Sequence, residues 1–228
     1  MGELVDFPSN GHRASGYLAV PESGSGPGVI VIQEWWGLVP HIKDVADRFA
    51  AEGFVALAPD LYHGTTTTEP DEAGKLLMSL NLEQAAKDMG GAVDYLKGHA
   101  AVTSAGLGVT GYCMGGGLAM MLAVQRADDI VACAPFYGII PWESAEPDWS
   151  KLQAPVRGHF ASEDGFFGPD KVAELQAKLQ GLGKDASFVV HEGADHAFFN
   201  DTRPEVYDEA HATEAWDATL AFFRETIR

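Results

Sequence analysis

Gly111-Tyr-Cys-Met-Gly-Gly-Gly117 is the stretch that decides how this chain reads. It follows the apolar run 107–110 and precedes a helix-like run, 118–125. A nucleophilic side chain held between small residues, where a strand hands over to a helix, spells a nucleophile elbow. The turn is so tight that its flanking positions can carry almost no side chain. The nucleophile is lifted to the head of the helix, where unpaired backbone N–H groups and the helix dipole favour negative charge. Here the nucleophile is Cys113 instead of the usual serine, so acyl-transfer chemistry by a thiolate is expected.

Outward from the elbow, strands and helices alternate. Residues 4–8 and 13–20 read as an opening hairpin. Buried strands follow at 28–33, 54–58, 107–110, 130–136, 156–160 and 187–190. Helices are expected at 41–52, 71–80, 82–97 (with Asn81 as N-cap), from Cys113, at 171–180 with Gly181 as terminator, and at 204–226. This alternation implies an α/β fold, a mostly parallel central sheet covered by helices on both faces. No repeat, linker or large lid insertion is visible, so residues 1–228 read as a single domain.

The bulk numbers set limits. The 228 residues are 46% hydrophobic and 21% charged, as in an ordinary globular protein. Fifteen basic against thirty-three acidic side chains give a net charge of -18, which argues against nucleic acid or an anionic membrane as partner. Two cysteines, Cys113 and Cys133, do not make a disulfide scaffold. The N-terminal residues have no signal-peptide pattern, and a reducing, cytoplasmic setting is the expectation. Oligomeric state stays open between a monomer and a small homo-oligomer.

In open parallel sheets the reactive groups lie just beyond the carboxyl ends of the strands. Four such ends carry something reactive: Glu34, Cys113, Asp164 and His196. The order nucleophile, acid, histidine is that of the α/β-hydrolases. A free thiol titrates near 8.5, so it needs help at neutral pH. His196 can take its proton, and Asp164 can fix the imidazole tautomer and support the imidazolium. Asp164 is preferred to Glu163, which is one step out of phase, and to Asp170, which suits a helix N-cap. The backbone N–H groups of Met114 and Trp35 are the natural oxyanion donors. Cys133 reads as core. His12, His41, His63, His99 and His211 read as surface or element-end residues.

Two rival motifs fail. His191 and His196 are five apart and interrupted by Gly193, whereas a helical zinc pair needs a spacing of four. No Lys-Ser/Thr follows Gly115–Gly117, so no phosphate loop is expected. No metal and no cofactor is required.

With those residues placed, the chain resembles the dienelactone hydrolase (carboxymethylenebutenolidase) family of α/β-hydrolases. The resemblance rests on Val31-Ile-Gln-Glu-Trp-Trp-Gly37, Ala58-Pro-Asp-Leu-Tyr62, the elbow, the Asp164 loop and Gly193-Ala-Asp-His-Ala-Phe198. It implies a role for Glu34 that spacing does not give: holding the resting thiol neutral and turned inward until substrate displaces it. A carboxylate capping the following segment is the plainer reading of Glu34. The resemblance also implies two arginines that grip a substrate carboxylate. The chain has no arginine between Arg48 and Arg126, Asn200 stands four places after His196, and Arg203 looks out of place. Trp36, Tyr137, Phe166 and Phe198 are the candidate substrate-binding residues, drawn from an aromatic set that also holds Trp35, Phe167 and Phe199. The expected substrate is a small ester or lactone without the carboxylate handle, cleaved through a thioester. The alternative is a non-catalytic ligand-binding or sensor module of the same fold.

Overall fold

The computed structural model describes residues 2–140, 142 and 145–228. Among these residues eight strands are present: β1 (Glu3–Ser9), β2 (His12–Ala19), β3 (Gly28–Ile32), β4 (Val55–Pro59), β5 (Leu107–Tyr112), β6 (Ile130–Phe136), β7 (Val156–Ala161) and β8 (Ala186–His191). They form one sheet in the order β1-β2-β4-β3-β5-β6-β7-β8. The β1–β2 hairpin is antiparallel, β2 joins β4 antiparallel, and every pair from β4 to β8 is parallel.

Strand side chains alternate between the two faces, and the sequence uses both. Val29 and Val31 of β3 and Ala56 and Ala58 of β4 enter one core, with Ile42, Val45 and Phe49 of α1 (Pro40–Ala51) and Trp216, Leu220 and Phe223 of α6 (Glu209–Thr226). Ile30, Ile32, Val55 and Leu57 enter the opposite core, with α3 (Leu82–Gly98), α4 (Met114–Gln125) and α5 (Pro169–Gly181). A further helix, α2 (Pro70–Ser79), lies mostly exposed and buries Ala73. Helix α4 is buried from Met114 to Val124, as its run of glycine, alanine, leucine and methionine demands.

Several local expectations meet corrections. The last helix starts at Glu209, not at residue 204: Asp208 N–H bonds back to Phe198 O at 3.0 Å, and the Asp208 carboxylate caps His211 N–H at 3.0 Å. The chain before it is a loop that wraps the site. Helix α5 opens on Gly168 as N-cap, with Asp170 inside its first turn. It ends at Gly181 as expected, and the left-handed glycine that follows its C-cap is Gly183. Asn81 caps α3 as expected, accepting from Gln84 N–H at 3.0 Å. His41 does stand at a helix start, but it is buried, edge-on to the rings of Tyr112 and Phe199.

Candidate active site

At the elbow, Cys113 has φ 55° and ψ -122°, a conformation that side-chain-bearing residues rarely adopt. Its neighbours permit it. A Cβ on Gly111 would lie 2.0 Å from Gly115 O, and one on Gly115 would lie 2.4 Å from Gln33 O. Strand β3 and helix α4 therefore touch backbone to backbone, and Cys113 is pushed out over the carboxyl end of the sheet. Met114 is the first residue of α4, and helix-opening N–H groups lack intrahelical partners.

His196 approaches from the loop after β8. Its Nδ1 lies 2.7 Å from Asp164 Oδ2, and its other side is hydrogen-bonded to the Cys113 thiol. Burial alone would lower the imidazole pKa, but the hydrogen bonds and charges of Asp164 and Cys113 outweigh it and push it up to about 10. Asp164 is held in turn. Its Oδ1 accepts the N–H groups of Phe166 at 2.7 Å and Phe167 at 3.0 Å. Burial opposes its ionisation, yet His196 and these two amides hold its carboxyl below the usual range. Glu163, the competing acid, only receives a hydrogen bond from Ser162 Oγ.

Glu34 is almost fully buried, at 1% exposure. Asn200 Nδ2 donates to its Oε2 at 2.8 Å, and Tyr137 OH faces its Oε1 at 3.4 Å. The thiol is thus paired with the imidazole, and Glu34 is engaged from behind by Asn200 and Tyr137. The Glu34 side chain is engaged by Asn200 and Tyr137 and not by the segment after it; Gly37 N–H bonds to its backbone carbonyl at 3.3 Å.

The space above the sulfur has two compartments. One, of about 100 Å³, is lined by Trp35, Leu77, Met114, Phe166 and Phe167 around Cys113 and His196. The other, of about 180 Å³, adds Glu34, Trp36, Pro70 and Arg203. Trp36, Pro70 and Arg203 also edge a wider hollow of about 460 Å³ beside the cleft. Of the aromatic candidates, Trp36 and Phe166 line this space. Phe198 does not: it is fully buried against His191 and Tyr137. Tyr137 does not either: it lies under His196, with ring centroids 5.2 Å apart, and its hydroxyl is turned to Glu34. Burial and the nearby Glu34 charge raise the Tyr137 pKa well above its ordinary value, so it stays a neutral donor.

The sequence reading missed the position of Arg203. Arg203 is not out of place: its guanidinium stacks over Trp36 at 5.6 Å and reaches the cleft wall. The turns after Asn200 bring it there, and its offset from His196 gave no hint of them. Its charge is already engaged by Glu205, 2.8 Å away.

Comparison with known proteins agrees with this geometry. A model described as the dienelactone hydrolase family matches residues 14–227. "Protein usf" of Aquifex pyrophilus is 41% identical, and the alignment covers 100% of both chains. A "Putative carboxymethylenebutenolidase" of Aquifex aeolicus is 34% identical, also covering 100% of both. Among solved structures, a "Putative Dienelactone Hydrolase" from Klebsiella pneumoniae superposes with a TM-score of 0.88, 29% identity and 98% coverage of each chain.

Proposed function

The chain belongs to the dienelactone hydrolase family, hydrolases of esters and lactones, and we propose that it works by covalent catalysis through a thioester on Cys113. The observation that carries this reading is the continuous line from Asp164 through His196 to the Cys113 sulfur, set on a strained elbow.

The thiolate sulfur attacks the ester carbonyl carbon. The carbonyl oxygen becomes an oxyanion, which the Met114 and Trp35 N–H groups receive; one such donor is worth about 10²–10³-fold in rate. As the tetrahedral intermediate collapses, the C–O bond breaks and His196 gives its proton to the leaving alkoxide. In a lactone that alkoxide stays tethered to the acyl group. Water then loses a proton to His196 and attacks the thioester, and the Cys113 thiolate leaves. Asp164 supports the imidazolium at each stage.

Glu34, Asn200 and Tyr137 form the floor of this site. Asn200 stands where the family resemblance implies a carboxylate-gripping arginine, but it donates to Glu34 instead. The compartment around the sulfur is apolar, and Arg203 is paired with Glu205. The substrate is accordingly a small, neutral ester or lactone, whose acyl group sits against Trp35, Leu77, Phe166 and Phe167. A thiolate nucleophile of this kind suits a reducing compartment. No helix among the described residues is long and apolar enough to cross a membrane.

Exposure to p-nitrophenyl acetate followed by mass spectrometry tests the mechanism. An acetyl adduct on Cys113, absent from Cys113→Ala, is the expected result. Steady turnover with no adduct under rapid quench, or ligand binding with neither, removes the thioester. A panel of paired lactones with and without a carboxylate tests the substrate class: neutral members should have the higher kcat/KM.

A further inference from the structure

Away from the cleft, β8 and α6 bring three metal-ligating side chains together. His191 ends β8, and His211 and Glu214 share the first turns of α6. His191 Nδ1 and His211 Nδ1 lie 3.8 and 3.9 Å from Glu214 Oε2, and the three donor atoms fall within 4.8 Å of one another. We propose that His191, His211 and Glu214 form a binding site for a divalent transition cation of the Zn²⁺ class, which staples the two ends of the segment carrying His196.

The outer partners orient the donors. His211 Nε2 lies 3.2 Å from Glu192 O. A carbonyl only accepts, so the neutral imidazole keeps its proton on Nε2 and turns an Nδ1 lone pair toward Glu214. His191 Nε2 lies 3.2 Å from His159 Nδ1, a buried ring on the neighbouring strand β7. With His159 accepting there, His191 too presents an Nδ1 lone pair. A histidine ligand whose second nitrogen donates to a fixed acceptor is the usual outer arrangement of a protein metal site. The His191 side chain is 2% exposed, and its Nδ1 stands 3.8 Å from the Glu214 carboxylate.

Two imidazoles and a carboxylate suit Zn²⁺ and its neighbours better than Ca²⁺ or Mg²⁺, which prefer all-oxygen shells. Zn–N and Zn–O bonds are about 2.0–2.2 Å, so two donor atoms at a tetrahedral angle stand about 3.4 Å apart. Glu214 Oε2 already lies within 3.9 Å of each imidazole, so the wider gap, up to 4.8 Å, is between the two histidines; it closes by rotation of the His211 ring, 26% exposed, with Glu214 following. The consequence lies in the segment between the ligands. Residues 192–208 carry His196, Asn200 and Arg203, and their anchors are the ends that the ion ties. Such a tie removes chain freedom from the loop and stabilises the native state by mass action.

The test uses the full chain carrying Cys113→Ala, which removes the competing thiolate, stripped with a chelator. Calorimetric titration with Zn²⁺ should show one ion per chain, and the melting temperature should rise with Zn²⁺ concentration. Co²⁺ should bind with visible absorption bands of a nitrogen- and oxygen-ligated ion. His211→Ala and Glu214→Gln, added separately at these partly exposed positions, should each weaken binding at least about tenfold, the loss common even for outer partners. Their metal-free melting temperatures should match the parent. Absence of saturable binding overturns the proposal. So does binding that both variants leave unchanged, which would place the ion elsewhere on the chain.

Discussion

Asp164 divides its two oxygens: Oδ2 meets His196 Nδ1 at 2.7 Å, and Oδ1 takes the N–H groups of Phe166 and Phe167. Recognition of the imidazole and construction of the loop thus fall to different atoms. Asp164→Asn can keep Oδ1 as an acceptor for the loop while placing a donor against His196. The expected outcome is a loss of kcat of about 10⁴-fold, as in the analogous serine triad, with little change in melting temperature. Steady-state kinetics and a thermal melt on the same preparation check both halves.

His196 is raised to about 10, partly by its hydrogen bond and charge interaction with Cys113. An unfolded histidine titrates near 6.5. The native state therefore holds the extra proton between these values. The stability this contributes is complete below about pH 6.5 and is lost as pH rises through about 10. In Cys113→Ala the sulfur's share disappears, so NMR titration of the His196 ring should give a lower pKa, and the alkaline fall in melting temperature should start earlier.

His159 is shifted the opposite way, down to about 3, first by burial and then by the neighbouring His191. Here the unfolded chain binds the extra proton. Stability is present above about pH 6.5 and is lost as pH falls toward 3, at up to about 1.4 kcal/mol per pH unit for one proton. His159→Phe, a ring of similar shape beside Phe136, should flatten this acid limb in chemical denaturation at pH 4, 5 and 6. An unchanged slope would assign the acid sensitivity to other groups.

Asn200→Ala removes the 2.8 Å donor from the buried Glu34 carboxylate. Leaving a buried charged acceptor short of its partner costs about 1–3 kcal/mol. Urea unfolding should show a drop of this size, with kcat/KM reduced because the floor beneath the sulfur is loosened. Asn200→Asp should be worse on both measures, since it faces one carboxylate with another.

Gly115→Ala puts a methyl group 2.4 Å from Gln33 O and 2.5 Å from Ile32 O, both backbone atoms that cannot swing aside. Strand and helix must separate, at a cost of about 1–3 kcal/mol or more. On the proposed mechanism activity should fall further than stability, because the same displacement moves Met114, the proposed oxyanion donor, at the start of α4. Gly181→Ala, with nothing within 4 Å of the added Cβ, is the control and should be nearly silent.

The strands were legible because burial writes itself into sequence: β-branched runs such as Val29–Ile32 allow few alternatives. The elbow turn and the pairing of Asp164 with His196 were legible because topology puts these residues at strand ends. What sequence could not give was direction across a loop. Phe198 and Tyr137 looked like pocket walls by position, yet one fills the core and the other faces Glu34. Arg203 looked misplaced by counting from His196, because the turns from Asn200 to Asp208 are built from hydrogen bonds that leave no periodic trace. His211 and His191, twenty positions apart, meet only because the fold brings the end of β8 to the first turns of α6. A search for fixed short spacing passes over such a pair.

The left-handed backbone at Cys113 bears on how this molecule can change. Holding a side chain there costs about 1–3 kcal/mol, which the surrounding glycines and packed strands must overcome. Glycine at 113 would relax that strain and, on the proposed mechanism, erase the chemistry with it. Heat resistance and turnover are thus selected in opposite directions at a single position, and a mutant library sorted only for survival at high temperature should discard its sulfur there first.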